Sequence, residues 1–134
     1  MSGGSCLRKE AHNWLVDAEY DLSAARDLLT LARYSYVVFF CHQAVEKLLK
    51  ALVIELKGEL PPKTHNLREL LQAAGLEAPG PLETFLLKLA PHYLVSRYSD
   101  VSGGPAHLAY NKALGEEFLV GTEEVFEWLK GHFK

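Results

Sequence analysis

At 134 residues, with 49% hydrophobic and 23% charged side chains, the chain is sized for one domain whose core needs neither disulfides nor a structural metal. Its 14 basic and 17 acidic residues leave a formal net charge of −3 and a sequence pI of about 6.1, which excludes a broad basic face for nucleic acid but allows a local basic patch. No stretch approaches the roughly 18 uninterrupted apolar residues that cross a bilayer, and Met1-Ser2-Gly3-Gly4-Ser5 has no apolar run behind it, so the expected location is the cytoplasm.

Residues 1–6, with Cys6, are expected to be a flexible N-terminus ahead of a single helical domain over 7–134. The first helix is predicted from about Leu7 to Arg33, because Leu15, Ala18, Leu22, Ala25 and Leu29 alternate steps of three and four and share one face. Ser35 is placed to cap the second, predicted from about Tyr36 to Lys57. Its first turns, Tyr36 to Cys41, are apolar all round and should be buried on several faces, with Cys41 as a small hydrophobe. Gly58 ends this helix and Leu60-Pro61-Pro62 prevents its continuation.

Asn66, with Glu69 three residues on, resembles a capping box at the start of a short third helix that stops at Gly75. Pro81 suits the first position of a fourth helix carrying Leu82, Phe85, Leu86 and Leu89. Pro91 should bend or restart that helix, and Gly103-Gly104-Pro105 marks the most exposed loop. The last helix is predicted from about Ala106 to Gly131, with Tyr110, Leu114, Phe118, Val125 and Leu129 inward. No period-two pattern occurs, so the fold class is all-α: an up-and-down bundle of three long helices plus two short helices in the crossover.

Three places carry candidate chemistry. On the second helix, Gln43, Glu46, Lys47 and Lys50 fall at spacings that form one polar ledge, readable as a ligand-contacting surface or, more simply, as a solvated face. His65 lies just before a helix start, where free N–H groups attract anions, or it packs to fix the crossover. Arg97, Tyr98 and Asp100 put a guanidinium, a phenol and a carboxylate beside the glycine-rich loop, and Arg is the natural reader of phosphate. Six scattered histidines show no metal-ligand spacing, and no cofactor fingerprint or hydrolase elbow occurs, so neither metal nor cofactor is expected.

The order of these features is informative. Trp14 and Ala18-Glu19-Tyr20-Asp21-Leu22 precede Phe39-Phe40-Cys41-His42-Gln43-Ala44-Val45-Glu46-Lys47-Leu48-Leu49-Lys50-Ala51, then Thr64-His65-Asn66-Leu67, then Arg97-Tyr98-Ser99-Asp100. The set resembles the HEPN family (higher eukaryotes and prokaryotes nucleotide-binding) over nearly the whole chain. That resemblance implies a bundle of four or five helices, a two-fold homodimer, and a minimal nucleotidyltransferase as partner in a toxin–antitoxin-like pair. It implies a nucleotide or RNA as ligand, with Arg97, Tyr98, Asp100, His65, Gln43, Glu46 and Lys47 as candidate binding residues.

Relatives that are metal-independent ribonucleases carry Arg, four to six residues, then His. Here the positions at that spacing hold Ser102, Gly103 and Gly104, and the next histidine is His107. The obvious proton-transfer group is displaced. The primary expectation is therefore a non-catalytic binding module. The alternatives are a ribonuclease using Arg97 and His107, or a purely structural dimerisation module.

Overall fold

The computed structural model describes the backbone of residues 2–133 and the side chains of residues 8–133. The flexible segment expected over residues 1–6, with Cys6, lies outside the described side chains. Among the described residues the secondary structure is helical, without a strand.

The stripe on α1 (Ser2–Thr30) faces inward: Ala18, Leu22 and Ala25 are buried, and Leu15 and Leu29 pack against them. Burial of such a stripe, at about 25 cal/mol per Å² of apolar surface, is what holds a helix of modest propensity in place. The turn after α1 closes with Arg33 N–H on Leu28 O (2.9 Å) and Ala32 N–H on Leu29 O (3.1 Å), the paired bonds of a Schellman cap. Ala32 takes the left-handed conformation there, at φ 60, where glycine is usual.

The second helix, α2 (Tyr34–Lys57), begins earlier than expected, so Ser35 is not its cap. Arg33 holds that position without a side-chain bond, and Ser35 is buried inside the first turn. Gly58 closes α2 as expected, left-handed at φ 64, with its N–H on Ile54 O. Cys41 is buried in the core, and burial pushes its thiol up to about 12, so it stays protonated and inert.

The crossover is more finely divided than two short helices. It contains α3 (Leu67–Ala73), α4 (Gly80–Leu89), α5 (His92–Val95), α6 (Ser99–Ser102) and a 3₁₀ turn over Ala106–Ala109. Asn66 caps α3 by accepting from Glu69 N–H at 3.1 Å. The return half of the capping box is missing, because Asn66 N–H donates to Thr64 Oγ1 instead. Pro91 separates α4 from α5, as a ring without an N–H must.

The last helix, α7 (Lys112–Lys130), starts later than expected. Asn111 caps it, accepting from Leu114 N–H at 2.9 Å, and Tyr110 is extended yet still buried.

Ion pairs give the directions. Glu19 and Arg26 of α1 meet Lys130 and Glu123 of α7, so the two helices are antiparallel. Trp14 and Asp21 of α1 meet Lys50 and Lys47 of α2, again antiparallel. Lys88 of α4 pairs with Glu117 of α7, while Phe85 lies over Gly121. The short α4 thus supplies the return direction that makes the bundle up-and-down. Among the described residues no helix is long and apolar enough to cross a membrane.

Candidate functional site

The polar ledge expected on α2 points inward. Glu46 is 3% exposed, accepting from Lys50 Nζ at 3.1 Å and from His65 Nδ1 at 3.0 Å. Lys50 is buried too and lies 5.2 Å from the Trp14 ring. Lys47 leaves the ledge to pair with Asp21 at 2.9 Å. The solvated-face reading fails because α2 is the central helix, so α1 and the crossover cover both of its sides. A buried carboxylate costs several kcal/mol unless paired, and Lys50 and His65 supply the pairing.

His42, one turn before Glu46, is fully buried, and neither ring nitrogen has a hydrogen-bond partner. Its Nδ1 stands 3.8 Å from Glu46, too far for a hydrogen bond. Burial pulls its pKa down to about 4 despite the carboxylate, so the ring is neutral at physiological pH. His65 is half-exposed and stacks on Tyr93 with ring centroids 4.2 Å apart and 18° between planes. Its Nδ1 is committed to Glu46, which leaves the helix-start anion reading without support at that atom.

Tyr93 sits on α5 one turn before Arg97. The Arg97 Nε–H donates to the Tyr93 carbonyl at 3.2 Å. The guanidinium carbon lies 4.5 Å from the Phe39 ring centroid, 4.7 Å from Tyr93 and 4.8 Å from Tyr98. Three aromatic rings therefore hold the cation by π contact. Its Nη2 is shielded from solvent and has no hydrogen-bond partner. Among the described residues no carboxylate pairs with Arg97, Asp100 included.

Arg97 lines a cleft of about 310 Å³ with Ser35, Tyr36, Ser96, Ala106 and His107. The segment from Arg97 to His107 thus folds back on itself: α6 and the left-handed Gly103, at φ 82, turn the chain so that the 3₁₀ turn returns beside the start of α2. A second anchor holds that strap. Tyr110 Oη lies 2.6 Å from His92 Nδ1; burial pushes the phenol up to about 12, and burial, then Lys88, lowers the imidazole. The proton accordingly belongs to the phenol, which donates. The arrangement places a guanidinium without a carboxylate partner, the Ser35 hydroxyl, the Tyr36 phenol and the exposed His107 imidazole around one opening, a donor set suited to an oxyanion, while the Ser96 hydroxyl is spent on the His92 carbonyl.

A family model described as HEPN domain matches residues 11–132. This chain belongs to the HEPN family. Two solved structures share the fold. TT1696 from Thermus thermophilus is 28% identical, with a TM-score of 0.79 over 90% of this chain and 96% of that one. ST0689, an archaeal HEPN homologue, is 26% identical, with a TM-score of 0.77 over 92% and 98%. No curated protein matches the chain.

Within this HEPN domain, contacts join the two sequence clusters: Glu46 to His65, His65 to Tyr93, Tyr93 to Arg97. Tyr98 is exposed and borders the guanidinium, whereas Asp100 is exposed on α6 without an ion pair to it. Gln43 Oε1 is buried and unpartnered. Sequence reasoning missed Phe39, Tyr93, Ser35, Tyr36 and Ser96. Phe39 read as core, and only the i to i+4 spacing of Tyr93 and Arg97 hinted at the cage.

Proposed function

We propose that this HEPN domain is a non-catalytic accessory module that receives a phosphate-bearing ligand, a nucleotide, in the Arg97 cleft. It works as a cytoplasmic homodimer whose partner is a minimal nucleotidyltransferase. One observation carries the ligand reading: Arg97 lines the cleft, its shielded Nη2 has no hydrogen-bond partner, and among the described residues no carboxylate neutralises it. A buried donor left unpaired costs about 1–3 kcal/mol, and an oxyanion removes that cost while supplying the missing charge. The small 310 Å³ cleft fits a phosphate with part of a sugar or base better than a long polymer segment.

Calorimetric titration with ATP, GTP and their monophosphates tests this. Binding to the wild type is expected to weaken about ten- to a hundredfold in Arg97→Ala, the loss of a charge-assisted hydrogen bond. Equal affinity in the two proteins, or no heat with any of the four, removes the reading. Capture of the product of a neighbouring nucleotidyltransferase gene tests the partner half.

A second reading has its own observation: His107 lines the same cleft as Arg97 despite the non-standard spacing. That pairing suits a metal-independent ribonuclease in which His107 moves a proton. Incubation with total RNA compares wild type, Arg97→Ala and His107→Ala. Cleavage that persists unchanged in both variants ends this alternative.

A further inference from the structure

Arg97 is a long side chain whose free rotamers would cost up to about 2 kcal/mol to immobilise on a ligand. Here that cost falls before any ligand arrives, because Tyr93 grips it twice, through its carbonyl on Nε and its ring against the guanidinium. Tyr93 is itself only part-buried on the four-residue α5, too short to hold a ring in place alone. What fixes the ring is His65, stacked flat on it at 4.2 Å, with Phe39 and His42 beside it at 6.4 and 5.5 Å. His65 is 53% exposed at its side chain, so burial does not hold it either. Its orientation comes from the 3.0 Å bond to Glu46, a carboxylate that also accepts from Lys50 and that α2 keeps rigid.

We infer that Glu46, His65 and Tyr93 form a positioning chain that orients the Arg97 guanidinium for its ligand. His65 is then a positioning residue and makes no ligand contact of its own. The inference rests on the Arg97 cleft being the ligand site, and it assigns the buried acid of α2 a task at a cleft it does not line. The relevant property of His65 is double: Nδ1–H donates to Glu46 while the ring face stacks on Tyr93. A side chain with only one of these features should position Arg97 only in part.

The test has two independent readouts on the full chain. One is the Nε–Hε NMR signal of Arg97 without ligand, which is sharp and protected when the guanidinium is held. The other is ATP affinity by calorimetry. His65→Ala is expected to broaden the Arg97 signal and to weaken ATP binding about five- to tenfold, in a chain that still folds but melts lower because buried Glu46 keeps only Lys50 as a partner. His65→Phe retains the stack and should recover part of both. Tyr93→Phe, whose hydroxyl makes no hydrogen bond among those described, should match wild type, whereas Tyr93→Leu should behave like His65→Ala. An unchanged Arg97 signal and unchanged affinity in His65→Ala overturn the inference. If ATP fails to bind even the wild type, the ligand reading fails, and the Arg97 signal alone decides whether the chain positions it.

Discussion

His42 is buried in the core with neither ring nitrogen bonded, and the cost of that choice is a dependence on pH. Its ordinary value of 6.5 applies to the unfolded chain, and burial lowers it to about 4 in the folded one. Between those pH values the unfolded state holds more protons, so stability is full above pH 6.5 and falls as pH drops towards 4. The loss approaches about 3 kcal/mol at the acid end. His92, lowered by burial and by Lys88, adds a change of the same sign. Urea denaturation across this range is expected to show the decline in wild type and a flatter profile in His42→Leu, which removes both orphan nitrogens at similar volume. A His42→Leu profile as steep as wild type would assign the acid sensitivity elsewhere. Glu46 and Lys50 make the complementary case. Glu46→Leu strands a buried ammonium and is expected to cost about 3–5 kcal/mol. The double variant Glu46→Leu/Lys50→Met should regain most of it, and additive losses in denaturation midpoints would show that the pair is not coupled.

Helix packing explains a residue that propensity alone argues against. Gly121, in the middle of α7, would place a Cβ 2.2 Å from Phe85 Cε1, so the glycine is the seat into which α4 presses its aromatic ring. Gly121→Ala gains about 1 kcal/mol of helix propensity but forces the ring out of its place, an overpacking cost of about 1–3 kcal/mol. A net destabilisation is expected by thermal denaturation, relieved when Phe85→Leu is added. A simple stabilisation would mean that Phe85 moves aside freely. Helix-scale features of this kind divide what sequence can reveal from what it cannot. The long helices were legible because Leu15, Ala18, Leu22 and Ala25 on α1, and Phe118, Val125 and Leu129 on α7, repeat at helical spacing. The start of α7 was not, since Ala106 to Tyr110 continue that spacing and only the Asn111 cap stops it. In the candidate site, Arg97 and His107 stood out by residue type. Ser35, Tyr36 and Ser96 reach the same cleft only because the strap folds back on α2, a tertiary event with no periodic signature.

At the scale of the whole molecule, the segment that carries the cleft also leaves apolar side chains uncovered. Leu94, Tyr98, Val101 and Leu108 are 45%, 44%, 47% and 71% exposed on α5, the start of α6 and the 3₁₀ turn. α6 packs on both its neighbours, so these side chains belong to one region of the surface. An apolar surface of this kind on a small domain is commonly covered by a second copy through a two-fold contact. Such a contact repeats every substitution on both sides of the axis, so one charge per chain acts twice. Sedimentation equilibrium is expected to give twice the 15.0 kDa chain mass for wild type and a single chain mass for Val101→Glu/Leu108→Glu. A dimer that survives those charges but dissociates in Val16→Glu/Tyr20→Glu, on the outer face of α1, would move the interface away from the cleft. The monomeric variant then settles whether the groove is shared. If two subunits bring their Arg97 side chains to one ligand, ATP affinity falls with dissociation even though Val101 and Leu108 do not line the cleft, and it rises again with protein concentration in a partly dissociating single variant such as Val101→Glu. Concentration-independent affinity equal to wild type would instead make each cleft complete within its own chain, and dimerisation a separate property of the same surface.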